Sequence, residues 1–163
     1  MNLKLILSIS SITFALALGA NADSTVTLKG VHNCCKSCAN GITKAVTSVS
    51  GATVALDKST ITITAKSEAD ATKATAALLK AGYFGEGATA GTASDAKVKS
   101  AKVSGVHLCC GKCVDAFNKA AKAGGATKTD ATKGAKTVTV EGDFSAKDLL
   151  AALNKEGFNG EVK

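Results

Sequence analysis

The chain has 163 residues, a formal net charge of +7 at pH 7 and neither Trp nor Pro. Its 20 basic residues are all lysines, they are interleaved with acidic residues, and aromatic residues make up only 4% of the sequence. Nucleic-acid surfaces usually combine clustered arginines and lysines with stacking aromatics, so this composition argues against nucleic acid as a partner and favours a lysine-solvated surface.

Residues 1–22 have the pattern of a targeting segment. Lys4 supplies a positive charge, residues 5–18 are an apolar stretch, and Ala20-Asn21-Ala22 is a small-x-small cleavage site. The apolar stretch is short and contains several serines, which predicts a removable signal peptide and no stable membrane insertion. We therefore expect an exported protein, periplasmic or secreted.

The next predicted unit spans residues 23–90. Alternation of apolar and polar residues predicts strands, and apolar residues on one helical face predict helices. Ser67 and Asp70 look like a capping box that opens the second helix. In chain order the predicted elements are a strand at 25–31, a helix at 37–49, strands at 52–56 and 60–65, a helix from 67 to 81, and a last strand from 83 to about 90.

After a predicted linker at 91–96, residues 97–163 repeat the same order. The predicted elements are a strand at 99–106, a helix at 112–123, strands at 126–130 and 137–141, and a second helix capped by Ser145. Asp148 would sit at the third position of that helix, with Phe144 and Leu149 as a hydrophobic staple. The predicted fold class is α+β, with two tandem ferredoxin-like βαββαβ modules after the signal peptide.

All six cysteines and both histidines lie in two copies of the motif G-V-H-x-C-C-x-x-C, at 30–38 and 105–113. The copies are offset by 75 residues, and the Gly-Tyr-Phe turn at 82–84 aligns with the Gly-Phe turn at 157–158 at the same offset. Clustered thiolates beside an imidazole suit a soft or borderline metal ion such as Cu(I) or Zn(II). Each motif precedes a predicted helix, whose N-terminus and nearby lysine would lower the pKa of the thiols.

A C-x-x-C after the first strand of a βαββαβ unit, with a Gly-Tyr-Phe or Gly-Phe turn after its second helix, resembles the heavy-metal-associated domain family. That family includes copper chaperones, the N-terminal modules of metal-transporting P-type ATPases and periplasmic mercury-binding proteins. The resemblance implies a metal carrier that binds Cu(I), Zn(II) or Hg(II) on an exposed loop and passes it to a partner such as a metal transporter. It places the ligand pairs at Cys35 and Cys38, and at Cys110 and Cys113. It also implies that Tyr83 and Phe158 support the metal loops.

Each motif departs from the family pattern in the same way. The usual Met is absent, and each loop gains an additional cysteine and a histidine. Three thiolates and an imidazole could close a tetrahedral Cys₃His site of the kind that suits Zn(II). The candidate metal ligands are therefore Cys34, Cys35, Cys38, Cys109, Cys110, Cys113, His32 and His107.

Two other functions remain open from the sequence. Export implies an oxidising compartment, where thiols tend to pair, so a thiol–disulfide redox protein or a disulfide-stabilised interaction protein is the alternative. Three cysteines in each module leave one unpaired unless the modules share a bridge. The usual redox scaffold would have Trp or Pro beside its C-x-x-C, so we do not expect an enzyme. The histidines could instead be exposed loop residues.

Overall fold

The computed structural model describes residues 23–163, and the predicted signal peptide lies outside these residues. Within this range no helix is both long and apolar enough to cross a bilayer. The elements in chain order are β1 (Ser24–Leu28), α1 (Lys36–Thr47), β2 (Thr53–Asp57), β3 (Thr60–Ala65), α2 (Glu68–Lys80), β4 (Lys97–Ser104), α3 (Gly111–Ala123), β5 (Ala126–Thr129), β6 (Thr137–Ser145), α4 (Ala146–Lys155) and β7 (Glu161–Val162).

The first half of the described chain, residues 23–90, contains a three-stranded antiparallel sheet with β3 between β1 and β2. Ile61 and Ile63 of β3 are fully buried, while the three threonines that alternate with them are half-buried. This alternation turns one face of the sheet towards α1 and α2, where Ile42 and Leu78 are also fully buried. The core of this half therefore lies between the sheet and its two helices.

The prediction of a last strand in the first half, from 83 to about 90, was wrong. Its pairing with β1 is reduced to a bridge in which the backbone N–H groups of Lys29 and Glu86 donate to each other's carbonyls at 3.1 and 2.7 Å. Gly87 has a φ of +106°, a conformation that turns the chain out of an extended path. Gly87 also lies close to β1, since an added Cβ would be 2.9 Å from the Thr27 carbonyl oxygen.

The second half, residues 97–163, contains a four-stranded antiparallel sheet in the order β5-β6-β4-β7. This order is consistent with the predicted ferredoxin-like arrangement. β6 runs to Ser145, beyond the predicted end at 141, and pairs with β4 from Ser104↔Thr137 to Lys97↔Ser145. β7 is short and pairs with the end of β4 that leads into the second cysteine loop.

Both predicted serine caps are confirmed. The backbone N–H of Asp70 donates to the Ser67 hydroxyl at 3.1 Å, and that of Asp148 donates to the Ser145 hydroxyl at 3.0 Å. Phe144 is fully buried, as expected for the staple beside the second cap. These caps fix where α2 and α4 begin.

The two halves meet through their equivalent turns after α2 and α4. The Phe84 N–H donates to the Gly157 carbonyl at 2.9 Å, and the Asn159 N–H donates to the Gly82 carbonyl at 3.0 Å. Tyr83 and Phe158 form a backbone bridge between these turns. This reciprocal contact brings the two cysteine loops face to face.

Candidate metal centre

The six thiols form one cluster at the contact between the two halves. Nine pairs of Sγ atoms lie 3.5 to 3.7 Å apart, and five of these pairs join one half to the other. A disulfide has an S–S distance of about 2.05 Å, so all six cysteines are free thiols in van der Waals contact. The motif that the sequence repeats twice thus forms a single cluster.

The N-termini of α1 and α3 place the thiols. Cys35 and Cys110 are the N-cap residues of the two helices, and Cys38 and Cys113 are the third helical residues. Cys38 and Cys113 are fully buried, whereas the other four cysteines are partly exposed. Because the thiols sit on both N-terminal turns, the partial positive charge of two helix dipoles acts on the cluster and favours thiolates there.

The pKa values of the thiols diverge in two directions. The nearby backbone N–H of Cys38 lowers the pKa of Cys35 to about 6, although the Cys35 side chain makes no regular capping hydrogen bond. Burial acts in the opposite direction. Burial raises the pKa values of Cys34 and Cys109, and contacts with neighbouring thiols add to this effect. The expected lowering of thiol pKa therefore holds for Cys35 and is wrong for Cys34 and Cys109.

His107 is buried against an aromatic residue of the first half. Its Nε2 atom lies 2.8 Å from the Tyr83 hydroxyl, which donates to the Cys38 carbonyl at 3.1 Å. The two rings are 4.3 Å apart. Burial, followed by the nearby Lys136, lowers the pKa of His107 to about 4, so its ring is neutral at pH 7.

His32 occupies the equivalent place on the other side of the cluster. Its ring stacks on Phe158 with a centroid distance of 4.3 Å. Phe158 has no hydroxyl, and the buried Nε2 of His32 has no hydrogen-bond partner. Burial lowers the pKa of His32, while hydrogen bonding to the Glu156 backbone acts in the opposite direction. An unpartnered buried imidazole nitrogen beside thiols is a fit for a metal ion.

All eight residues predicted as ligands lie at this one place. Ligand atoms within 4.8 Å of one another form three groups: His32 with Cys34, Cys38 and Cys113; His107 with Cys38, Cys109 and Cys113; and Cys34 with Cys35 and Cys110. Each group takes ligands from both halves, so the structure does not separate the cysteines into one site in each half. Binding of metal by these residues stays a prediction.

Tyr83 and Phe158 contact the histidine of the opposite half, an arrangement that the sequence did not reveal. Gly41 in α1 is the residue that sequence reasoning missed. A Cβ at Gly41 would clash with the Tyr83 hydroxyl. The repeat held a signal for this contact. The counterpart of Gly41 in the second half is the larger Ala116, and the counterpart of Tyr83 is Phe158, which lacks the hydroxyl. The smaller residue accompanies the larger aromatic.

No protein-family model matches the sequence, and no curated protein matches it. Two solved structures are similar to the chain in part. They are the N-terminal soluble domains of Bacillus subtilis CopA and the water-soluble region of the P-type ATPase CopA from the same organism. Each is 19% identical over 88% of this chain, covering 95% and 93% of the respective structure, with a TM-score of 0.31.

Proposed function

We propose that this protein is an exported heavy-metal-binding protein that carries or sequesters a soft or borderline ion through its cysteine thiolates. The observation that supports it is the contact of six free thiols at Sγ distances of 3.5 to 3.7 Å. Thiolates select soft ions, and Cu(I) suits them best, with Zn(II) and Hg(II) as the other candidates. The two halves are, in this proposal, two tandem heavy-metal-associated modules.

The exposure of the thiols favours a carrier over a permanently closed structural site. Cys35 and Cys110 are partly exposed, so a partner's thiolates can reach an ion at the edge of the cluster and exchange ligands with it. Such a partner would be another metal-handling protein or a metal transporter. The signal peptide would place this exchange in the periplasm or outside the cell. The protein needs no catalytic group for this role.

A thiol–disulfide function is the second candidate. The Cys35 thiol, with its pKa of about 6, lies 3.5 Å from the Cys38 thiol, which is the relation of an attacking thiolate to a resolving cysteine. Oxidation by an external acceptor would join the two sulfurs and release two protons. This candidate predicts disulfides in the protein as isolated, whereas the metal carrier requires thiols.

Anaerobic purification followed by metal analysis and a free-thiol count tests the proposal. We expect six reduced thiols and tight binding of Cu(I) added to the reduced protein. Replacing Cys35 and Cys38 by Ser should weaken that binding at least tenfold, whereas Ser37→Ala, in the same loop but without a thiol, should leave it unchanged. Failure of the reduced protein to bind Cu(I), Zn(II) and Hg(II) would refute metal carriage.

A further inference from the structure

The contacts between sulfur atoms close into rings that cross the boundary between the halves. Four three-sulfur rings have sides of 3.5 to 3.7 Å: Cys34–Cys38–Cys113, Cys38–Cys109–Cys113, Cys35–Cys38–Cys109 and Cys34–Cys110–Cys113. Every ring contains thiols from both halves. The two short contacts within the first loop share Cys38, and the two within the second loop share Cys113. Neither loop alone therefore closes a ring.

The size of these rings fits a three-coordinate metal ion. With a metal–thiolate bond of about 2.3 Å, three sulfurs around a trigonal ion lie about 4 Å apart. The ring sides are a few tenths of an ångström shorter than this, so a slight outward rotation of the side chains would admit an ion. Cys38 and Cys113 belong to three rings each, and their sulfurs would therefore bridge neighbouring ions.

The surroundings of the rings favour Cu(I) over Zn(II). Zn(II) in structural sites takes four ligands in a tetrahedron. Among the described thiols no short contact joins Cys34 to Cys109, so the four most connected sulfurs do not complete a tetrahedral set. An imidazole would have to complete it. His107 Nε2 already pairs with Tyr83, so only His32, beside the Cys34–Cys38–Cys113 ring, offers an unpartnered Nε2, and it could complete one such site. Cu(I) accepts three thiolates without a fourth ligand.

The cluster also lies where negative charge is stabilised. Six thiolates carry more negative charge than the Cu(I) ions of a compact cluster neutralise. The N-terminal turns of α1 and α3 both carry these thiols, and the partial positive charge of the two helix ends offsets the remaining charge. The two bridging sulfurs, those of Cys38 and Cys113, are fully shielded from solvent.

We infer that the two loops form one shared site that binds a polynuclear Cu(I)–thiolate cluster of up to four ions with bridging sulfurs. This inference rests on the proposed function and goes beyond it, because metal carriage alone would be met by one ion in each half. Each thiol releases its proton as its sulfur binds copper, and copper remains Cu(I) throughout, so no electron is transferred.

Anaerobic Cu(I) titration of the reduced protein against a competing chelator tests this inference. We expect an end point of about four ions per chain, one for each ring, and copper–copper scattering in the X-ray absorption spectrum. Replacing Cys34, Cys35 and Cys38 together by Ser removes every ring. The end point should then fall by more than half, and the copper–copper scattering should disappear.

A milder variant covers the case in which the triple variant unfolds. Cys34 is partly exposed and belongs to two rings, both completed by the second half, so Cys34→Ser should also lower the end point. Ser37→Ala is the matched control. An end point of two ions per chain without copper–copper scattering, falling to one in the triple variant, would indicate one ion in each half. That result would overturn the shared cluster and leave metal carriage standing. Absence of binding to Cu(I), Zn(II) and Hg(II) would overturn both.

Discussion

The two aromatic–histidine contacts beside the thiol cluster are equivalent in position and differ by one oxygen atom. Tyr83 places a hydroxyl 2.8 Å from His107 Nε2, whereas Phe158 stacks on His32 and leaves that nitrogen without a partner. In the first half the hydroxyl also reaches the Cys38 carbonyl, at 3.1 Å, and so ties the aromatic to its own cysteine loop. The Tyr83 and His107 rings are thus joined by a hydrogen bond, whereas the Phe158 and His32 rings are in contact through stacking.

This difference shows how a repeated sequence becomes an asymmetric site. The hydroxyl of Tyr83 fits only because α1 has a glycine at position 41, while α3 has Ala116 at the equivalent place. The asymmetry makes His32 the imidazole whose Nε2 is free to bind a metal ion. The Nε2 of His107 would first have to give up its hydrogen bond to Tyr83.

The largest expected effect comes from the glycines that let the halves approach. A Cβ at Gly82, whose φ is +92°, would lie 2.5 Å from the Gly105 carbonyl oxygen and 2.6 Å from the backbone nitrogen of His107. We expect Gly82→Ala to lower the free energy of unfolding by about 3–5 kcal/mol, from backbone strain together with overpacking. Urea unfolding measures this loss.

Gly134→Ala is the matched control for Gly82→Ala. Gly134 has a similar φ of +88°, and nothing lies within 4 Å of its added Cβ. We expect a loss of about 1–2 kcal/mol there, from backbone strain alone. Equal losses at the two positions would contradict the close approach of Gly82 to the backbone of the second half.

The next largest effect on stability is expected from Gly41→Ala. Its sign should depend on whether residue 83 is Tyr or Phe. Gly41→Ala places a methyl group against the Tyr83 hydroxyl and should cost about 1–3 kcal/mol. In the Tyr83→Phe background the clash is removed, and alanine should then stabilise α1 by up to about 1 kcal/mol relative to glycine. A double-mutant cycle by urea unfolding measures the coupling, and an equal effect of Gly41→Ala in both backgrounds would contradict the assigned contact.

The pH dependence of stability tests the burial of the two imidazoles. The pKa of His107 is about 4 in the folded protein and about 6.5 in the unfolded chain. The unfolded state therefore takes up the proton first, so stability that is complete above about pH 6.5 is lost as the pH falls towards 4. Burial lowers the pKa of His32 as well and acts in the same direction.

Urea unfolding of the reduced apoprotein at pH 7 and pH 5 measures this loss. His107→Asn should flatten the dependence on pH, since it removes the more strongly shifted group. Proton NMR would follow each ring directly. A His107 ring that titrates at or above about pH 6.5 would show that it is not buried against Tyr83.

Sequence periodicity was sufficient for most of the elements and for both serine caps, because these depend on residues close together in the chain. β3 was predicted at 60–65 and is found at Thr60–Ala65. The strand predicted at 83–90 failed because glycines there favour a turn that local hydrophobicity does not report. The meeting of the two loops was not predicted, since the pattern within one half carries no information on how the halves pack.

The eight residues of the cluster were identified from the sequence because every cysteine and histidine falls within one repeated motif. Their partners were not. Tyr83 and Phe158 were expected to support the metal loops. Tyr83 does donate to the Cys38 carbonyl of its own loop, but both aromatic rings also contact the histidine of the opposite half. The difference between Gly41 and Ala116 pointed to the place of the Tyr83 hydroxyl, but it can be interpreted only when the position of that hydroxyl is known.

The central claim is that thiols from the two halves meet in one cluster, and a single engineered disulfide tests it most directly. The Cys34 and Cys110 sulfurs are partly exposed and 3.7 Å apart. In a variant that keeps only these two cysteines, with Cys35 and Cys109 changed to Ser and Cys38 and Cys113 to Ala, mild oxidation should join them within the monomer. The disulfide should form in the native state and not in urea. Thiols that stay free, or that pair only between molecules, would contradict the shared cluster.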